Sequence, residues 1–159
     1  MTLAVNPIDI RQGATGDIGI VDDIMQQAFD PRFGEAWTRG QCLAILAIPS
    51  ISLTLASIDG VTSGFALIRS AADEAELLLL ATLPAMRRRG VARALLRAVI
   101  SDSKQRSISK LFLEVRRGNE AASLYRAIGF AKVGERRGYY RGSDNQLYDA
   151  LTYCYDIEQ

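Results

Sequence analysis

At 159 residues, with 48% hydrophobic and 23% charged side chains, the chain has the length of one ordinary globular domain that can bury a core without staples. A net charge of +1 argues against nucleic-acid binding, and the absence of histidine excludes Ser-His-Asp and Cys-His nucleophiles and every His-based metal centre. Cys42 and Cys154 form no C-x-x-C pair, so neither a disulfide framework nor a zinc site is indicated, and proton transfer is left to carboxylates, tyrosines, lysines, cysteines or water.

In chain order, the first seven residues carry no signal-peptide pattern and no apolar run approaches the ~18 residues of a membrane span. A cytoplasmic, membrane-free protein is expected. Residues 8–10 read as a short strand. From Asp17, a candidate N-cap, Val21, Ile24, Met25, Ala28 and Phe29 recur at helical spacing until Asp30-Pro31. Thr38-Arg39-Gly40-Gln41 reads as the capping box of a second helix that ends before Pro49. The link between the helices holds the only tryptophan, Trp37, either a lid over the core or a substrate contact.

Residues 51–58 and 61–68 are predicted as strands joined by Asp59-Gly60, a strong hairpin signal, and 74–82 as a third. A basic bend follows. Between Pro84 and Ser101 stand Arg87, Arg88, Arg89, Arg93 and Arg97 without an acid, so the remainder of the chain is net acidic. The helix opening at Val91 is expected to bury Val91, Leu95, Ala98 and Val99 and to present Arg93 and Arg97 outward. Its first backbone N–H groups lack partners within the helix and carry about half a positive charge, so phosphate oxygens suit them. Gly90 allows close approach or positive φ, and Ala92 is too small to screen the amides. A solvated basic helix start is the bland alternative.

Residues 110–116 alternate as a strand, with Leu111, Leu113 and Val115 on one face and Phe112, Glu114 and Arg116 on the other. Asn119 caps a last helix that runs to Ile128 and stops at Gly129. Residues 130–137 and 147–157 are the final strands, linked through Gly138-Tyr139-Tyr140-Arg141-Gly142. The order is strand, two helices, three strands, helix, strand, helix, two strands. It predicts one α/β (α+β) domain over 1–159, a mixed, mostly antiparallel sheet flanked by about four helices.

Arg87-x-x-Gly90-x-Ala92 resembles the Arg/Gln-x-x-Gly-x-Gly/Ala signature of the GNAT superfamily of N-acetyltransferases. Residues 111–130, from Leu113-Glu114-Val115-Arg116 through Asn119 to Leu124-Tyr125 and Gly129-Phe130, resemble the RimI-type ribosomal-protein alanine N-acetyltransferases, as do Arg136-Arg137-x-Tyr139-Tyr140 and Asp149-Ala150. The resemblance covers roughly 74–151. It implies acetyl-CoA as co-substrate and no metal. Leu80, Ala81 and Thr82 would offer backbone to the pantetheine arm, Arg87, Arg88, Arg89, Gly90, Val91, Ala92 and Arg93 would surround the pyrophosphate, and Asn119 would sit at the same site. Glu114 would be the base and Tyr125 the acid.

Read without that likeness, Glu114 is a strand carboxylate ion-paired with Arg116, and Tyr125 a core tyrosine. An ordinary Glu facing an α-ammonium is mismatched by about 3.5 pKa units, roughly 5 kcal/mol, so Glu114 is either raised by an apolar setting such as Phe112 or acts through water. Trp37, Tyr139 and Tyr140 are candidate acceptor contacts, and Asp73, Glu74, Glu76 and Glu114 could draw in a cationic peptide. The acceptor implied is the basic N-terminal tail of a ribosomal protein, with the enzyme a monomer or weak dimer. The segment Glu35-Ala36-Trp37-Thr38 departs from the Pro-Trp-Ser of that group, and the loop before it is longer. A small-amine acetyltransferase and a CoA-binding module without turnover stay open at this point.

Overall fold

A computed structural model describes residues 7–157; the N-terminal stretch read above lies, apart from Pro7, outside them. The elements are β1 (Ile8–Gln12), α1 (Ile18–Ala28), α2 (Arg39–Leu46), β2 (Ile51–Ile58), β3 (Val61–Ala71), β4 (Glu74–Thr82), α3 (Val91–Gln105), β5 (Lys110–Arg116), α4 (Ala121–Ile128), β6 (Ala131–Arg141) and β7 (Leu147–Asp156), with single 3₁₀ turns at Thr15–Asp17, Pro31–Phe33 and Pro84–Met86. Their order is the expected one. They form an α/β fold with one seven-stranded sheet, β1-β2-β3-β4-β5-β7-β6, in which only β4 and β5 run parallel.

The sheet is apolar on both faces, and each face takes one pair of helices. Val91, Leu95, Leu96 and Val99 of α3 and Ala122 and Tyr125 of α4 pack with Ala66, Ile68, Leu77, Leu111 and Leu113. On the opposite face Val21, Ile24 and Met25 of α1 and Cys42 of α2 pack with Leu53, Leu55, Phe65 and Leu67. Each layer buries its own stripe.

Several local readings need correction. Asp17 stands at the N-cap of α1 but its side chain makes no capping bond: the carboxylate accepts from the Ala14 N–H at 2.9 Å and pairs with Arg11 at 2.8 Å, and so pins the 3₁₀ turn before the helix. On α3, Leu96 is fully buried while Ala98 is only partly covered, because the helix lies in a groove and buries a wider arc than a single stripe. The chain does not turn at 138–142. β6 continues to Arg141 through a bulge that sets three residues between Arg136 and Tyr140 against Asp149 alone, and the turn falls at 142–146. The bulge is held by Asp149, whose carboxylate accepts from the Gly138 N–H at 2.9 Å.

Gly64 on β3 pairs with Thr82, directly beneath the first turn of α3. A Cβ there would stand 2.7 Å from the Ala81 carbonyl oxygen and 2.8 Å from Val91 Cγ1. Gly64→Ala is therefore expected to force β4 and α3 apart and to lower the unfolding free energy by about 1–3 kcal/mol in urea titrations.

Candidate active site

The site begins with β4. Ala75 and Leu77 face α3, whereas Leu79 and Ala81 pack under α1. Strict alternation would place all four on one face. The inversion occurs at Leu78, the extra residue where the β3 pairing passes from Ile68–Leu77 to Leu67–Leu79. The same bulge bends β4 away from β5. Their parallel ladder spans Glu74–Lys110 to Leu77–Leu113 and stops there, leaving the β4 edge from Leu78 to Thr82 unladdered toward β5.

Into this parting opens a cavity of about 650 Å³. Leu80, Ala81 and Thr82 form one wall, Arg87, Arg88 and Ala92 one end, and Asn119, Ala121, Leu124 and Tyr125 the wall opposite. A smaller hollow of about 220 Å³ adjoins it and takes in Gly90, Val91 and Arg93. Gly90 stands at φ 84° as the N-cap of α3, a left-handed conformation that suits glycine. Arg87 reaches back and donates to the Ala28 carbonyl at 2.9 Å, tying the bend to the end of α1. Arg89 differs from its neighbours: its guanidinium lies against the Met86 sulfur at 3.1 Å, and it lines neither cavity.

A third, smaller pocket of about 140 Å³ brings together Glu114, Tyr125, Trp37, Tyr139 and Tyr140. Five residues separated by up to 103 positions in the chain thus share one space. It has Phe29, Glu35, Leu80, Asn119, Ala121 and Tyr125 in common with the large cavity. On its other side Glu76 and Glu114 also line an open trough of about 320 Å³ that includes Glu74, Phe112, Arg136 and Thr152. Asp73 is absent from it, because its carboxylate accepts from Ser109 Oγ at 3.1 Å.

Glu114 does not pair with Arg116. Its Oε1 forms an ion pair with Arg136 Nε at 2.9 Å, and its Oε2 is buried with no hydrogen-bond partner among the described residues. An unsatisfied carboxylate oxygen is costly to bury and marks a place for a donor. Burial is the main cause that raises the Glu114 pKa above the ordinary carboxylate value; the Arg136 charge opposes it and the Glu76 charge adds to it. The Tyr125 hydroxyl is pushed well up, first by burial and then by the Glu35 charge, so the phenol stays protonated. Its ring packs edge-on against Phe130 at 5.8 Å.

Local sequence marks Arg136 only as part of a tail motif, and it does not single out Phe29, Glu35 or Leu78 for the site. No spacing rule links them to it, since α1, the following loop and the β6 bulge meet there only in three dimensions. Asn119 Oδ1 accepts from the Ala121 N–H at 2.9 Å, as a helix cap would, while its Nδ2 donates to Glu35 Oε2 at 3.0 Å.

An α/β sheet parted beside a basic helix start, with a raised carboxylate and a protonated phenol in the adjoining pocket, sets a proton acceptor and a proton donor side by side, as an acyltransferase requires. The model of the Acetyltransferase (GNAT) family matches residues 22–130. The chain belongs to that family and is an acyltransferase. Within it, the chain is 31% identical over 140 residues to the ribosomal protein bS18-alanine N-acetyltransferase of Haemophilus ducreyi, a match covering 83% of this chain and 96% of that one. It is 33% identical over 156 residues to the N-alpha-acetyltransferase RimI of Mycobacterium tuberculosis, with 93% and 94% covered. The crystal structure of the ribosomal-protein-S18-alanine N-acetyltransferase from Escherichia coli superposes with a TM-score of 0.86 at 29% identity, covering 96% of both chains.

Because Arg136 holds the Glu114 carboxylate down, Arg136→Gln lets burial act unopposed and raises that pKa further. With Glu114 as the proton acceptor, the acid limb of the kcat/KM profile is expected to move to higher pH in the variant, read from rates between about pH 5 and 9.

Proposed function

We propose that the chain acts as a single acetyltransferase domain that moves the acetyl group of acetyl-CoA to the α-amine of an N-terminal alanine on a ribosomal protein. The observation that carries this reading is the shared pocket, in which Glu114 and Tyr125 stand between the donor cavity and the acid-lined trough. The amides at the start of α3 and the Arg87 and Arg88 side chains suit a pyrophosphate, and the unladdered β4 edge at Leu80–Thr82 suits an amide-bearing arm. Leu78, Trp37 and Val115 give the acceptor pocket of about 140 Å³ an apolar lining that favours a small side chain such as that of alanine, and Glu74 and Glu76, the latter paired with Arg69, stand beyond it toward a basic tail.

In this reading the ammonium loses its proton to Glu114, directly or through one water, and the free amine attacks the thioester carbonyl. The C–N bond forms as the C–S bond breaks, the departing thiolate, whose thiol pKa is ~8.5, takes the Tyr125 proton, and the second proton of the attacking nitrogen returns to the phenolate through water. Neither Cys42 nor Cys154 lines the donor cavity or the shared pocket, and burial raises both thiols, which favours direct transfer in a ternary complex over an acyl-enzyme. No helix of the described residues is long and apolar enough to cross a membrane, in keeping with work in the cytoplasm.

Incubation with acetyl-CoA and peptides beginning with alanine or other residues, beside polyamines, aminoglycosides and free amino acids, is expected to give α-amine acetylation of the alanine peptide. Acetylation of no peptide would reject the assignment, and acetylation of small amines alone would move it to that class. Glu114→Gln and Tyr125→Phe are each expected to lower kcat by ~10²-fold or more with little change in acetyl-CoA affinity by calorimetry.

A further inference from the structure

The loop between α1 and α2 walls both the donor cavity and the acceptor pocket, and one carboxylate in its middle makes its ionic tie to the neighbouring elements. Glu35 stands there with an exposure of only 11%. Its Oε1 accepts from Arg116 Nε at 3.0 Å, and its Oε2 accepts from Asn119 Nδ2 at 3.0 Å. Arg116, 12% exposed, lies with its guanidinium 3.7 Å from the centre of the Phe33 ring, and Phe33 packs edge-on against Tyr148 at 5.2 Å. One carboxylate therefore ties loop residues to the end of β5 and to the cap of α4.

We infer that Glu35 is a positioning residue, a latch that holds the α1–α2 loop so that Phe29 and Trp37 shape the acceptor side of the pocket. The inference rests on the acetyltransferase reading above for its kinetic arm, but not for its structural one. A carboxylate this covered would be costly to bury for stability alone, and removing it would leave Arg116 charged and unpaired. The donor's grip is elsewhere, at the Arg87–Ala92 bend and the β4 edge, which carry their own contacts to α1 and β3. Trp37, from this loop, lines the acceptor pocket and not the donor cavity, and packs with Phe29 on the core beneath α1. Loosening the latch should therefore disturb the acceptor more than the donor. Glu35 also lies close enough to Tyr125 and Tyr140 for its charge to raise both phenols, which places it at the junction of the two sites.

Trp37, two residues from Glu35 and the only tryptophan, reports the loop without any turnover. Acrylamide quenching of its fluorescence is measured for the wild type, Glu35→Gln, Arg116→Gln and the double variant, after thermal melts establish that each is folded. The expected result is a quenching constant raised roughly twofold in either single variant and no further in the double, because both break the same tie. Glu35→Asp, too short to span both partners, gives an intermediate value and serves if Glu35→Gln does not fold. In the acetylation assay the acceptor KM of Glu35→Gln is expected to rise roughly tenfold or more, with the acetyl-CoA Kd within about twofold of wild type. Unchanged quenching in Glu35→Gln or Glu35→Asp would overturn the latch whatever the activity. A Kd that weakens as much as the KM, or single effects that add in the double variant, would overturn it as well. A wild type that acetylates no peptide yet shows the quenching pattern would sink the assigned acceptor and leave the latch standing.

Discussion

Everything at the site depends on the parting of two parallel strands after four paired positions. A sheet gains its stability from continuous ladders, so a gap in its middle needs a cause and a compensation. The cause is the extra residue at Leu78, which turns β4 over and bends it from β5. The compensation is packing: Leu79 and Ala81 are drawn beneath α1, while Leu77 stays in the core under α3. The helix pairs on the two faces hold the strands apart, and the gap becomes a place where backbone can meet a ligand.

Charge is arranged with the same economy. Arg87 and Arg88 stand at one end of the gap and Glu74, Glu76 and Glu114 at the other, with Glu76 paired to Arg69 and Glu114 to Arg136; the proposed anionic donor and cationic acceptor would enter from these two ends. Glu114 sits between two influences, a buried position that favours the neutral acid and an Arg136 guanidinium that favours the carboxylate. In the proposed role of base, a carboxylate poised this way faces an ammonium whose own pKa is several units above that of an ordinary carboxylate, and the mismatch narrows without being abolished. Tyr125, protonated and buried beside it, would be the complementary donor of that proposal.

The sequence made much of this frame readable. The strand at Lys110–Arg116 shows strict alternation, α2 begins with the capping box Thr38-x-x-Gln41, and the helix after Gly90 opens where its glycine and apolar spacing place it. What escaped is what local pattern cannot encode. The β6 bulge replaces a turn because Asp149, across the sheet, supplies the acceptor for Gly138. Arg116 turns from Glu114, its neighbour two positions away, to Glu35, which is 81 residues away, and Glu114 turns to Arg136. Like-face spacing predicts that a pair can meet; which partner wins is decided by burial and by the elements that arrive from elsewhere.

The central claim, that the bulge-opened gap holds the donor through the β4 edge and the basic bend, is tested most directly by amide chemical-shift mapping with acetyl-CoA. The account predicts the largest shifts at Leu80, Ala81 and Thr82 and from Arg87 to Ala92, saturating together with one affinity. Shifts that leave those amides unmoved, or that gather instead along the outer face of α3 around Arg97 and Lys104, would contradict it.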